Sequence, residues 1–135
     1  MEITYSETRV IDENQIVALY LANNWTAANK PKLLTKALLN SHGLVSAWED
    51  EKLVGIGNAI SDGYLVVYYP HLLVHPDYQK RGIGRNIIAK LKKKYENFHM
   101  HMLTADGESI GFYEKSGFEL AGETRPMWIY QGDEH

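Results

Sequence analysis

Cysteine is absent from all 135 residues, so neither a disulfide nor a thiolate-ligated metal can form, a composition that suits a reducing cytoplasm. No apolar run approaches the roughly 20 residues of a membrane-spanning helix. Met1-Glu2-Ile3-Thr4-Tyr5 lacks the basic and apolar regions of a secretion leader, and a cytoplasmic, membrane-independent protein is the expectation. Internal repeats and low-complexity tracts are missing too. Against these absences stands an ordinary globular composition, 44% hydrophobic and 23% charged, in a length that suits a single domain over 1–135. The net charge of -3 argues against a general nucleic-acid binder, yet seven of the 14 basic residues fall between Lys80 and Lys94 with no acid among them. An acidic chain with one basic patch points to a local anionic ligand. The lysines from Lys90 onward also suit the solvated face and last turn of a helix.

The densest signal is Val74-His75-Pro76-Asp77-Tyr78-Gln79-Lys80-Arg81-Gly82-Ile83-Gly84-Arg85. Before it, Leu65 to Val74 reads as a strand. After it, Ile83, Ile87, Ile88 and Leu91 recur at helical spacing. The turn is therefore a helix N-terminus, whose first amide N–H groups lack intrahelical partners. Gly82 and Gly84 put no Cβ in front of those amides, and Lys80, Arg81 and Arg85 add charge, which makes the turn a place to hold a diphosphate.

The rest of the chain reads as follows. A strand over Ile3 to Ser6 precedes a helix with Asp12 as N-cap, Gln15 three residues on, and Ile11 placed to staple Ile16; it runs to about Ala22. A second helix begins at Pro31 and is expected to stop at Gly43. Three antiparallel strands follow, Leu44 to Glu49, Leu53 to Ile60 and Leu65 to Val74, with Asp62-Gly63 as a hairpin signal. Pro70 predicts a bulge or strand edge where the sheet opens. A helix from Gly82 to Lys94 crosses to a parallel strand at Phe98 to Leu103. A short helix over Ser109 to Lys115 is capped by Gly117, and strands at Phe118 to Ala121 and Met127 to Tyr130 are expected to close the sheet.

Two stretches carry a family resemblance. Leu72-x-Val74-x-Pro76-x-x-Gln79-x-x-Gly82-x-Gly84 resembles the acyl-coenzyme A signature of the GNAT superfamily, the acetyl-CoA-dependent N-acetyltransferases. Asp106-x-x-Ser109-x-x-Phe112-Tyr113-Glu114-Lys115-x-Gly117-Phe118 resembles that superfamily's later helix and following strand. The Rossmann pattern is unmet, because Asn86 and Ile87 stand where a third glycine is needed, and no P-loop Gly-Lys-Ser/Thr exists. The resemblance implies an α+β fold: a mixed, mostly antiparallel central sheet of about six to seven strands, splayed at its central strands and flanked by about four helices. It also implies direct transfer of an acetyl group, in a ternary complex, from acetyl-CoA to a small primary amine. A homodimer is an expectation of the same kind.

For the cofactor, splaying at Pro70 would leave backbone groups of Leu72, Leu73 and Val74 for the pantetheine arm, with the diphosphate on Gln79, Lys80, Arg81, Gly82, Ile83, Gly84 and Arg85. By the resemblance, Asp106, Ser109 and Tyr113 border the arm, although Asp106 stands where the family often has asparagine and Ser109 where alanine is common. Ser109 could cap its helix. The Val74 N–H is the candidate oxyanion donor and Tyr113, by the resemblance, the acid for the departing thiolate. The general base is open among Glu49, Asp62, Tyr68, His71 and water. Because the frequent family glutamate has no clear counterpart, a non-catalytic acyl-CoA-binding or sensing module is the alternative function. His99 and His101 share a strand face but lack a third ligand, so no metal is expected. Trp25, Trp48, Tyr64, Tyr68 and Tyr69 fit an acceptor pocket and ordinary packing equally well.

Overall fold

The structure, a computed structural model, describes residues 2–132. Strand β1 (Thr4–Ser6) leads to helix α1 (Glu13–Ala22), which Asp12 starts by accepting the Asn14 N–H at 2.9 Å. Ile11 and Ile16 bury in one cluster as a staple would place them. Gln15 does not turn back on Asp12. It reaches across to the turn at 50–51, accepting the Leu53 N–H and donating to Glu51 O. The expected loop after α1 contains a 3₁₀ turn, Thr26–Asn29, before helix α2 (Pro31–Leu39). Helix α2 ends short of Gly43 because Asn40 Nδ2 and Ser41 Oγ bond the Lys36 and Ala37 carbonyls, each at 2.8 Å, and close its last turn. Gly43 instead opens β2 (Gly43–Glu49).

Strand β3 (Lys52–Ser61) lies antiparallel beside β2 and carries the opening of the sheet. The predicted third strand is split into β4 (Val66–Tyr68) and β5 (Leu72–Val74), both antiparallel to β3. Ile60 faces Tyr68 while Gly57 faces Leu72, so four residue steps oppose three and one residue bulges out around Pro70. The bulge resets side-chain parity: Val67 and Tyr69 pack in one core cluster, yet His71 and Leu73 both face the other. Asn58, buried at 4% exposure, holds the break together. Its N–H donates to His71 O, its Oδ1 accepts the His71 N–H at 3.0 Å, and its Nδ2 donates to Ser41 Oγ.

Helix α3 (Ile83–Lys94) then crosses over to β6 (Met100–Met102), which pairs parallel with β4 and not with β5. The last ladder-side bond is Tyr69 N–H to Met102 O at 2.9 Å; past it β5 and β6 part. The sheet order is β1-β2-β3-β4-β6, with β5 on β3. Ile83, Ile87, Ile88 and Leu91 of α3 are at most 2% exposed against one face, and α1 and α2 cover the other. Burying each such side chain contributes about 1.5–3 kcal/mol. Gly57 lets α3 sit close, since a Cβ there would lie 2.7 Å from Ile87 Cγ2.

The closing strands are not formed. After helix α4 (Ile110–Lys115) and left-handed Gly117, residues 118–132 run without a ladder; Gly122 turns the chain at φ +67° and Pro126 offers no N–H.

One stability prediction arises here. Burial holds the His101 imidazole below its ordinary pKa, and its Nδ1 is hydrogen-bonded to the Tyr69 hydroxyl at 2.7 Å. A depressed histidine leaves the folded state with fewer bound protons than the unfolded state below pH about 6.5, so stability falls as pH drops through that value. Replacing His101 with Gln should flatten the decline in Tm between pH 7 and 5, measured by thermal circular dichroism.

Candidate active site

The parting of β5 from β6 creates a cleft of about 720 Å³. One wall is β5. Its direction follows from the ladder: His75 N–H to Val54 O and Asn58 N–H to His71 O mark the positions bonded to β3, so the intervening alternation turns the Leu72 and Val74 backbone away from β3, toward the gap. The Val74 carbonyl is taken by Gln79 Nε2 at 3.0 Å, and the same amide reaches Asn23 Oδ1 at 3.5 Å, tying the end of α1 to the strand. Its N–H is the group that remains directed at the gap.

The floor is the start of α3. Gly82 is its N-cap at φ +84°, with no side-chain cap, and Lys80 before it is also left-handed at φ +65°. Asn86 N–H makes the first intrahelical bond, to Gly82 O at 3.0 Å, so the amides of Ile83, Gly84 and Arg85 precede the helical ladder. A Cβ on Gly82 would meet nothing within 4 Å, and Gly82, Ile83 and Gly84 all line the cleft. Lys80 and Arg85 line the cleft beside them. Arg81 does not; its guanidinium sits 5.5 Å from the centre of the Tyr78 ring. Of the thirteen residues assigned to the cofactor from sequence, it alone is absent from the lining.

The far wall is the segment before and within α4. Asp106, Ser109 and Tyr113 all line the cleft, together with Glu108 and with Phe112, a motif residue to which the sequence gave no site role. Ser109 does not cap α4. Its hydroxyl donates to Asp106 O at 2.9 Å, because residues 107–109 form a 3₁₀ turn that precedes the helix. Tyr113 packs edge-on between Phe112 and Phe118. Burial, and secondarily the Asp106 carboxylate, pushes its phenol pKa up, so it enters the site as an O–H donor.

The four base candidates separate. Glu49 accepts the Tyr78 hydroxyl. Asp62 is committed to the hairpin, where the Leu65, Tyr64 and Val66 N–H groups hold its carboxyl below the usual range. Tyr68 is 40% exposed on β4. His71 lies at the vertex of the split, its Nδ1 2.7 Å from the hydroxyl of fully buried Tyr20 and its ring edge-to-face with Trp25 at 5.1 Å. Trp25 in turn lines the cleft with Asn23, closing its α1 side. Tyr20 and Asn58 carry no sequence signal for this role; their contact with His71 depends on the bulge. Of the remaining aromatics weighed for the pocket, Trp48 bonds Ser46 Oγ, Tyr64 is exposed and Tyr69 is core, and none lines the cleft. His101 is engaged by Tyr69, and no group of three or more His, Asp or Glu converges among the described residues.

A mixed sheet split between two strands, with an uncapped glycine-flanked helix start at the split, forms a cleft whose free amides and cations suit an extended anionic ligand. Comparison with known proteins agrees: the acetyltransferase (GNAT) domain family matches residues 3–127, and the chain belongs to that family. A GNAT-family acetyltransferase of Streptococcus pneumoniae superposes with a TM-score of 0.83 at 26% identity, covering 97% of this chain and 100% of that one. An uncharacterized N-acetyltransferase, ycf52, of Pyropia yezoensis is 31% identical over 61% of this chain and 51% of its own length. The aminoglycoside N-acetyltransferase AAC(6')-Iy, solved in complex with CoA, shares the fold at 15% identity, with a TM-score of 0.71 over 97% of this chain and 95% of that one. The chain spans only about a third to a half of the length of the curated relatives it matches.

Proposed function

We propose that the chain is a single-domain N-acetyltransferase that moves an acetyl group from acetyl-CoA to a primary amine, by direct attack in a ternary complex and without a metal. The observation that carries this reading is the cleft itself, which joins unladdered helix amides, outward strand backbone and a half-buried phenol in one space. Acetyl-CoA supplies the activated acyl group. The chain's own groups fit it: the amides of residues 83–85 with Lys80 and Arg85 receive the diphosphate, and the Leu72 and Val74 backbone receives the pantetheine amides. The Val74 N–H donates to the developing oxyanion. Tyr113 hydrogen-bonds the departing sulfur. With a thiol near 8.5 and a phenol raised above 10, full proton transfer is uphill, so Tyr113 stabilises the thiolate mainly as a donor. His71, one ring away from the cleft behind Trp25, takes the proton of the amine through a bridging water. A small acceptor entering on the α1 side and a cytoplasmic location complete the reading.

A thiol reagent that follows CoA release across a panel of primary amines tests it directly. Turnover with at least one amine is expected; CoA binding with no turnover across the panel favours the sensing-module alternative. Tyr113→Phe separates the two further. A hydrogen bond to a charged group is worth about 1.5–3 kcal/mol, so a loss of roughly 10- to 100-fold in kcat with unchanged CoA affinity is expected. An unchanged kcat removes Tyr113 from the chemistry.

A further inference from the structure

The segment between β5 and α3 leads into the helix start offered to the diphosphate, yet little of its own backbone holds it. Pro76–Tyr78 forms one 3₁₀ turn, closed by Tyr78 N–H on His75 O at 2.8 Å. Beyond Gln79, the N–H groups of Lys80 and Gly82 meet no backbone carbonyl among the described residues. Both residues are left-handed, at φ +65° and +84°. For Lys80, which carries a Cβ, that conformation is unfavourable and persists only where the surroundings fix it.

The two residues before Lys80 supply the fixing through their side chains. Gln79 donates to Val74 O at 3.0 Å and reaches Asn23 Oδ1 at 3.5 Å, which ties the loop to β5 and α1. Tyr78 reaches the other way. Its hydroxyl donates to Glu49 at the end of β2, and that bond holds the phenol above its ordinary pKa, so it remains a donor through the neutral range. Glu49 stands on a firm support: it faces Lys52 across a tight turn, which Gln15 of α1 braces through Glu51 O and the Leu53 N–H. The Tyr78 ring lies 5.2 Å from Lys52 Nζ and 5.5 Å from the Arg81 guanidinium, both within cation–π reach. Arg81 follows Lys80 directly, so the ring holds the chain on the far side of the left-handed residue as well.

We propose that the Tyr78 to Glu49 hydrogen bond, with Arg81 on the same ring, pre-forms the loop that leads into the diphosphate site, which makes Tyr78, Glu49 and Arg81 positioning residues for CoA. The inference rests on the acetyl-CoA reading and adds to it a tether from β2. A hydroxyl donating to a carboxylate is charge-assisted and stronger than a neutral bond. Its loss lowers the fraction of molecules whose loop is competent, and apparent affinity falls by that fraction. The acyl end of the cofactor meets Val74 and Tyr113 in either case, so the rate of the bound complex should hold. Arg81, outside the cleft lining, thereby serves the site indirectly.

Calorimetric titration with CoA and steady-state kinetics test the tether. Tyr78→Phe, which keeps the ring, should raise the Kd for CoA and the KM for acetyl-CoA about tenfold, with kcat within about twofold of wild type. Glu49→Ala should match it, whereas Glu49→Gln, which retains an acceptor oxygen, should stay within about threefold of wild type. The Tyr78→Phe/Glu49→Ala variant should bind no more weakly than either single one, because both remove the same contact. Additive losses, or a wild-type Kd in Tyr78→Phe, overturn the tether. Absence of CoA binding by the wild type overturns the acetyl-CoA reading and this inference together, while tight wild-type binding left unchanged by Tyr78→Phe overturns this inference alone. If Tyr78→Phe melts too low to titrate, Glu49→Ala, at a half-buried position, decides the same point.

Discussion

Gly82→Val is expected to weaken CoA binding by two orders of magnitude or more. Gly82 holds φ +84°, a region that costs an L-residue about 1–2 kcal/mol and a β-branched one more, so the variant melts lower. The binding loss is larger and has a separate cause. A Cβ and its branches at Gly82 would project into open space at the cleft that residues 82–85 line, where they would compete with a ligand for access to the helix start. Each charge-assisted bond from the amides of residues 83–85 is worth about 1.5–3 kcal/mol, and losing two amounts to a factor of at least 10². Gly82→Asn is the control, since asparagine accepts the left-handed region more readily; it should recover most of the stability and little of the affinity. Calorimetric titration of CoA and thermal melts on both variants separate the two effects. Wild-type affinity in Gly82→Val would remove the diphosphate from this helix start.

Much of this candidate site is legible in the sequence, and the reason is local. The glycine spacing, the flanking cations and the helical periodicity from Ile83 to Leu91 all lie within one continuous stretch, so backbone chemistry alone assigned the turn and its charge. Pro70 likewise announced the break in the strand, because a residue without an N–H cannot continue a ladder. What stayed hidden was everything that depends on which residues the break brings together. Its size, one residue, decides whether His71 faces α3 or α1, and no local pattern encodes that count. Asn58 and Tyr20, distant in sequence, act only once the bulge exists. Arg81 is the converse case: its place in the basic run suggested a ligand contact, while its guanidinium lies 5.5 Å from the centre of the Tyr78 ring and outside the cleft lining. The missing closing strands belong to the same class. Phe118 to Ala121 and Met127 to Tyr130 have strand-forming sequences, but a ladder needs a partner, and neither has one among the described residues, with left-handed Gly122 turning the chain between them.

The second large effect is expected from His71→Ala, with kcat/KM falling about 10²- to 10⁴-fold while CoA affinity stays within twofold of wild type. The range is what a positioned general base contributes. Affinity should hold because the His71 side chain faces the α1 layer, whereas the wall proposed for CoA is the outward backbone of Leu72 and Val74, which Asn58 anchors through the His71 main chain and not its ring. Tyr20→Phe provides the graded comparison. The buried Tyr20 hydroxyl fixes the imidazole through Nδ1, so removing it loosens the ring without removing it, and a smaller loss of kcat, near tenfold, is expected. Imidazole added to His71→Ala should restore part of the rate if the space beside Trp25 admits it, a readout that a packing role for His71 would not produce. A rate within threefold of wild type would instead assign the amine's proton to solvent. Glu49, Asp62 and Tyr68 have other engagements, the first accepting the Tyr78 hydroxyl, the second three backbone N–H groups, the third lying 40% exposed on β4.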